Sequence, residues 1–288
     1  MSKVLLATRV CIVHLFYIIT SSCELVHAFL AFWHTACNIA ALPHPPASCT
    51  PRAPQFLIYL LLVISLAITE QDGKAHNCKM GSALAKELRA PTQKTCLGWM
   101  AQRIMSMGNG SDSIDAVSQI DSAIEKPVVV EIGPGAGYSL REIFKKLSPS
   151  RVYGIEISDA FRDQIAADKE FGASIEGGVL SLHGGDAKDL NFIPDSSVDI
   201  VFAFNVIYFL NPLSIYLKEL NRILKPGGSV NFGVKTVAKA MDQSVYINTD
   251  WGACLDEIKS AGFVEVEAKE ERLEGPLAYT ALVGKKPN

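Results

Sequence analysis

The sequence predicts an α/β protein: a doubly wound, mostly parallel seven-stranded sheet with an antiparallel last strand, preceded by an apolar N-terminal helical extension. Three observations predict it. From residue 128 onward, short β-branched runs alternate with stretches of helical spacing. The first of those runs ends in a glycine-rich turn. Charge is also uneven: Lys3, Arg9, Glu24 and Arg52 are the only four formal charges in residues 1–69, although the 288-residue chain holds 27 Lys+Arg and 30 Asp+Glu. The chain therefore divides into residues 1–79, an apolar extension, and residues 80–288, an α/β domain.

The elements of the second region follow in order. Residues 128–132 (VVVEI) read as a buried parallel strand. Residues 133–137 are a turn, and 138–147 a helix with Leu140, Ile143, Phe144 and Leu147 on one face. A second strand is expected at 152–155 and a helix at 159–171, capped by Ser158 or Asp159. Strands at 179–183 and 198–205 come next, then a helix at 214–224 stopped by Lys225-Pro226-Gly227-Gly228. A fifth strand is expected at 229–233 and a helix at 251–261. Strands at 263–268 and 277–283 have no helical pattern between them, so they should pair antiparallel. In such a sheet, ligands bind at the carboxyl ends of the strands.

The extension carries three apolar runs, at 10–22, 25–42 and 56–69. The last two would make helices of roughly 27 and 21 Å, marginal against a bilayer core of about 30 Å. Three readings stay open: a membrane tether through 10–69 with the second region in the cytoplasm, a targeting leader, or a mis-started extension ahead of a cytoplasmic protein beginning near Met80. The chain's near-neutral charge, −3 at pH 7, leaves no basic footprint for nucleic acid. Seven Cys without a CxxC pair give neither a disulfide framework nor a metal-ligand spacing.

The chemistry is concentrated after the first strand, in Glu131-Ile132-Gly133-Pro134-Gly135-Ala136-Gly137. Only a main chain stripped of side chains lets a ligand approach so closely, and the helix that follows points its N–H groups at it. A dinucleotide fingerprint would need its third Gly at position 138, where Tyr138 stands. Glu156 ends the second strand, 19 residues after Gly137, where a carboxylate can accept ribose hydroxyls. Asp186 and Ala187 follow the third strand and Asn205 ends the fourth. No Walker lysine or basic cluster follows the turn, so a nucleoside site without a phosphate grip is expected.

These motifs, with Leu224-Lys225-Pro226-Gly227-Gly228, resemble in order and spacing those of class I S-adenosylmethionine-dependent methyltransferases, over about residues 97–283. Gly98-Trp99-Met100, Met105 and Gly108-Asn109 resemble the lead-in helix of the small-molecule branches. The resemblance implies S-adenosylmethionine as cofactor: Glu131, Gly133, Gly135 and Gly137 at the methionine portion, Glu156 at the ribose, Asp186 and the Ala187 amide at the adenine, Asn205 beside the methionine end. It implies no obligatory base and no metal. Asn205-Val206-Ile207-Tyr208 keeps the outer residues of the N-P-P-Y motif of amino methyltransferases without either proline, and Tyr208 is the candidate for lining the acceptor pocket. The expected acceptor is a small or lipid-like molecule. A non-catalytic cofactor-binding module and an NAD(P)-dependent oxidoreductase are the alternatives; His183 is expected to be structural.

Overall fold

The computed structural model describes residues 87–91, 98, 101, 102, 105, 110–120 and 123–288, all within the compact unit Asn77–Asn288. The apolar runs, the boundary at 79/80, and Trp99, Met100, Gly108 and Asn109 of the lead-in segment lie outside the described residues; Gly98 and Met105 are helical.

Seven strands form one sheet: β1 Val128–Ile132, β2 Arg151–Ile155, β3 Leu180–His183, β4 Val198–Phe204, β5 Leu224–Lys235, β6 Val264–Ala268 and β7 Tyr279–Lys285. Their order is β3-β2-β1-β4-β5-β7-β6. β1 to β5 run parallel, and β7 is antiparallel to both neighbours. The chain leaves β1 toward β2 and β3, then returns to its other side as β4. That reversal opens a crevice at the carboxyl ends of β1 and β4.

The central strands are apolar on both sides because both faces are covered. β4 is buried at all seven positions. Its alternate residues divide between two cores. Val201 and Ala203 share one core with Leu217 and Leu220 of α5 (Leu213–Ile223) and Ile258 of α6 (Trp251–Ser260); Ile200, Phe202 and Phe204 share the other core with Val117 of α1 (Ser111–Ser118) and with Leu140 and Ile143 of α2 (Tyr138–Leu147).

Three elements differ from the sequence reading. The helix expected over 159–171 is two, α3 (Asp159–Ala166) and α4 (Lys169–Glu176). Ser158 caps the first by accepting from Phe161 N, and Asp168 caps the second by accepting from Glu170 N, so the chain restarts at its own capping aspartate. β5 is longer than expected. The Pro-Gly-Gly stretch ends the preceding helix, yet it joins the sheet: Gly227 N donates to Lys286 O at 2.9 Å, and Lys286 N to Gly228 O at 2.8 Å. Helix α1 has no counterpart in the sequence reading. Its buried face holds Asp112 and Ser113 beside Ala116 and Val117, so apolar periodicity does not reveal it. Asp112 is tolerated there because Lys235, at the end of β5, pairs with it.

Gly233 shows how tightly the sheet is filled: a Cβ there would lie 2.1 Å from Cδ2 of Phe204, whose ring packs edge-on against Tyr279 at 5.4 Å. Gly233→Ala should destabilise the fold by about 2 kcal/mol through overpacking, lowering Tm by roughly 4–8 °C; thermal denaturation checks this.

Candidate functional site

The turn between β1 and α2 is held from both sides. Gly133 N donates to Ile155 O of β2 at 2.8 Å, and Gly137 N to Pro134 O at 2.8 Å. All three glycines have left-handed φ, 69°, 53° and 80° at Gly133, Gly135 and Gly137, which side chains rarely adopt. Their further reasons differ. A Cβ on Gly133 would stand 2.6 Å from Val206 Cγ2, and one on Gly137 3.0 Å from the Phe171 ring. A Cβ on Gly135 would meet nothing nearer than Gly133 O at 4.0 Å, because that residue borders a cleft.

The cleft opens to solvent and holds about 960 Å3 of empty space when its mouth is counted. Gly133, Gly135, Glu156, Asp186, Ala187 and Asn205 line it, as the sequence reading expected. Glu131, Gly137 and Tyr208 do not line it. Gly137 is instead the left-handed residue that starts α2. Glu131 is 1% exposed and lies behind Ser139, a wall residue whose hydroxyl donates to Oε1. Its Oε2 has no partner among the described residues. Burial is the main reason its pKa rises from 4.5 to about 8; the Ser139 hydrogen bond opposes the rise, and the Glu156 charge adds to it.

Glu156 is buried as well. Oε2 accepts from Gly135 N at 3.0 Å and Oε1 from Ser158 N at 2.8 Å, so the same carboxylate locks the glycine turn and the start of α3. Burial raises its pKa against these bonds and the nearby Arg162. Asp186 follows β3. Its Oδ1 accepts from Lys188 N at 3.3 Å and its Oδ2 from the Tyr216 hydroxyl at 3.0 Å.

Asn205 takes φ +60° where β4 ends, and its N donates to Gly233 O at 2.9 Å. Tyr208, expected to line the acceptor pocket, is buried behind the wall. The helical turn Ile207–Phe209 carries its ring inward, against Tyr246 at 5.5 Å and Trp251 at 6.0 Å, and leaves Phe209 and Leu210 on the cleft. Its hydroxyl donates to Asn205 Oδ1 at 3.0 Å and accepts from Lys235 N at 2.5 Å. Burial raises its pKa. Tyr208 therefore faces Asn205 and does not line the cleft. His183 stacks on Phe192 at 4.0 Å, away from the cleft; burial and Arg151 lower its pKa.

The sequence reading missed Ser139 and Tyr216. Each acts through one hydroxyl on a carboxylate or a main-chain group, and an isolated hydroxyl residue carries no spacing signal. Among the described residues, no group of His, Cys, Asp or Glu could hold a metal ion.

Residues 130–232 match the family model described as "Methyltransferase domain". The chain is 24% identical over 160 residues to "Uncharacterized methyltransferase YdaC" of Bacillus subtilis (strain 168), covering 55% of this chain and 83% of that protein. It is 33% identical over 109 residues to "Probable methyltransferase ltbC" of Aspergillus luteorubrus, but covers only 35% of this chain and 37% of that protein. The fold resembles the Haloferax volcanii protein solved in complex with the Trm112 methyltransferase activator: TM-score 0.53, 20% identity, 65% of this chain and 94% of that one. Residues 130–232 thus form an S-adenosylmethionine-dependent methyltransferase domain. Its cofactor is S-adenosylmethionine. The residues fit that group. The cofactor's positive charge suits two buried carboxylates, one with an unpartnered oxygen, and the bare Gly135 main chain leaves room beside them.

Because Glu131 is protonated more readily in the folded than in the unfolded chain, the unfolded state binds fewer protons between pH 4.5 and about 8. Stability of the cofactor-free protein should fall as pH rises through that window, by on the order of 1.4 kcal/mol per unit of raised pKa at most. Urea unfolding between pH 5 and 8 should show a steeper decline for wild type than for Glu131→Gln; parallel declines would contradict the buried, protonated carboxyl.

Proposed function

We propose that this methyltransferase moves the methyl group of S-adenosylmethionine to a nucleophilic atom of a small-molecule or lipid-like acceptor. The observation that supports this reading is the shape and chemistry of the cleft beyond the glycine turn. Leu88, Pro91, Met105, Phe209 and Leu210 wall it with apolar surface, which makes a cavity for a compact or greasy molecule, in contrast to the basic groove of a nucleic-acid enzyme.

When bound, S-adenosylmethionine supplies an electrophilic methyl carbon on a sulfonium. In this reading Glu131, through Ser139, and the main chain of Gly133 and Gly135 hold the methionine portion. Glu156 holds the ribose, Asp186 and the Ala187 amide the adenine, and Asn205 stands beside the methionine end. The protein's part is alignment and exclusion of water, which together can supply ~7–11 kcal/mol of the barrier. Thiols, amines and enolates can attack without a fixed base, so none is assigned.

For residues 10–69 the proposal is a membrane tether that keeps the domain in the cytoplasm. It rests on the three apolar runs; among the described residues no helix is long and apolar enough to cross a membrane. Full-length protein should sediment with salt-washed membranes and a Met80-start form should not; a soluble full-length protein would end the proposal.

Gly135→Arg should abolish S-adenosylmethionine binding in calorimetry with Tm changed by only a few degrees, because the side chain would project into the cleft without entering the core. With methyl-labelled cofactor, wild-type protein should label metabolite or lipid fractions of an extract. Label appearing only in protein or nucleic acid would refute the acceptor class.

A further inference from the structure

Asp186 stands in the loop after β3, where its Oδ1 accepts from Lys188 N at 3.3 Å. Gly185, just before it, has φ +135°, and the Asp186 side chain is 36% exposed. Two groups compete for its Oδ2. The Lys188 ammonium, on a side chain 55% exposed, stands 3.6 Å away and draws the carboxylate toward solvent. The Tyr216 hydroxyl donates to the same atom at 3.0 Å from the cleft side. Tyr216 is the firmer anchor. It is 3% exposed on α5 and lines the cleft, and a buried phenol needs an acceptor for its proton. Burial, then the hydrogen bond to Asp186, push its pKa up to about 12, so it stays a donor at all physiological pH values.

We infer that Tyr216 is a positioning residue that sets the cofactor's base specificity by holding the Asp186 carboxylate inward, where it accepts from the 6-amino group of adenine. The inference rests on the placement of the adenine at Asp186. A carboxylate fixed in the cleft as a pure acceptor welcomes an amino donor and repels a carbonyl oxygen at the same place. One released toward Lys188 would discriminate less.

The test is calorimetry on the full chain with two probes, S-adenosylhomocysteine and its deaminated analogue S-inosylhomocysteine, which carries a carbonyl in place of the 6-amino group. Wild type should favour the adenosyl probe by at least about tenfold, the size of one hydrogen bond to a charged group. Tyr216→Phe should lose about fivefold or more of adenosyl affinity with little change for the inosyl probe, shrinking the ratio. Adding Tyr216→Phe to Asp186→Asn should change nothing further, since one residue acts through the other. Lys188→Met, by removing the outward pull, should restore part of the ratio in the Tyr216→Phe background. Equal loss for both probes would mean that Tyr216 only supports packing, and tighter adenosyl binding would mean that it competes with the base; an unchanged ratio, additive losses or no rescue would also overturn the inference. Wild-type protein binding both probes alike would place the adenine elsewhere and remove the inference with it.

Discussion

The site depends on one constraint: the main chain between β1 and α2 must turn without side chains while packed on both flanks. Val206 presses on Gly133 at a distance that excludes a Cβ, and Phe171 on Gly137 at one where a Cβ would push the ring aside. Glu156 fixes the middle by accepting the Gly135 N–H. Two glycines thus serve the packing of the fold, and the one between them serves the cleft. The turn is rigid because the flanks are filled and open to a ligand because the centre is not.

The carboxylates extend this arrangement. Glu131 and Glu156 are buried and hydrogen-bonded, and burial favours the protonated form of each, even with Arg162 near Glu156. A cationic ligand would reverse that preference and stabilise both as anions. The cofactor-free protein therefore holds a cost that binding can relieve. Asn205 and Asp186 are tuned differently. Each has a tyrosine hydroxyl behind or beside it, from Tyr208 and Tyr216 respectively. These phenols join β4, β5 and the loop after β3 to the cleft wall.

The strand and helix around the turn were legible because local pattern and tertiary need coincide: Val128–Ile132 is a run of buried residues ending at glycine, and Tyr138–Leu147 has its apolar face on one side. Wall residues such as Glu156 and Asp186 were legible from their places at strand ends. Tyr208 was misplaced because the sequence gives its distance from Asn205 but not the direction of the helical turn between them. That turn sends Tyr208 into the core and Phe209 to the cleft. Helix α1 escaped notice because Asp112 occupies a buried position that only Lys235, more than a hundred residues away, makes tolerable. The pairing of Tyr216 with Asp186 spans 30 residues and joins elements on different sides of β4 in the chain, so no local pattern carries it.

A crystal structure of the full chain with S-adenosylhomocysteine tests the account most directly. It should show the Gly133 and Gly135 main chain against the methionine portion, the Glu156 carboxylate on the ribose hydroxyls and the base beside Asp186. A cofactor seated away from the turn, or those carboxylates pointing away from the nucleoside, would contradict it.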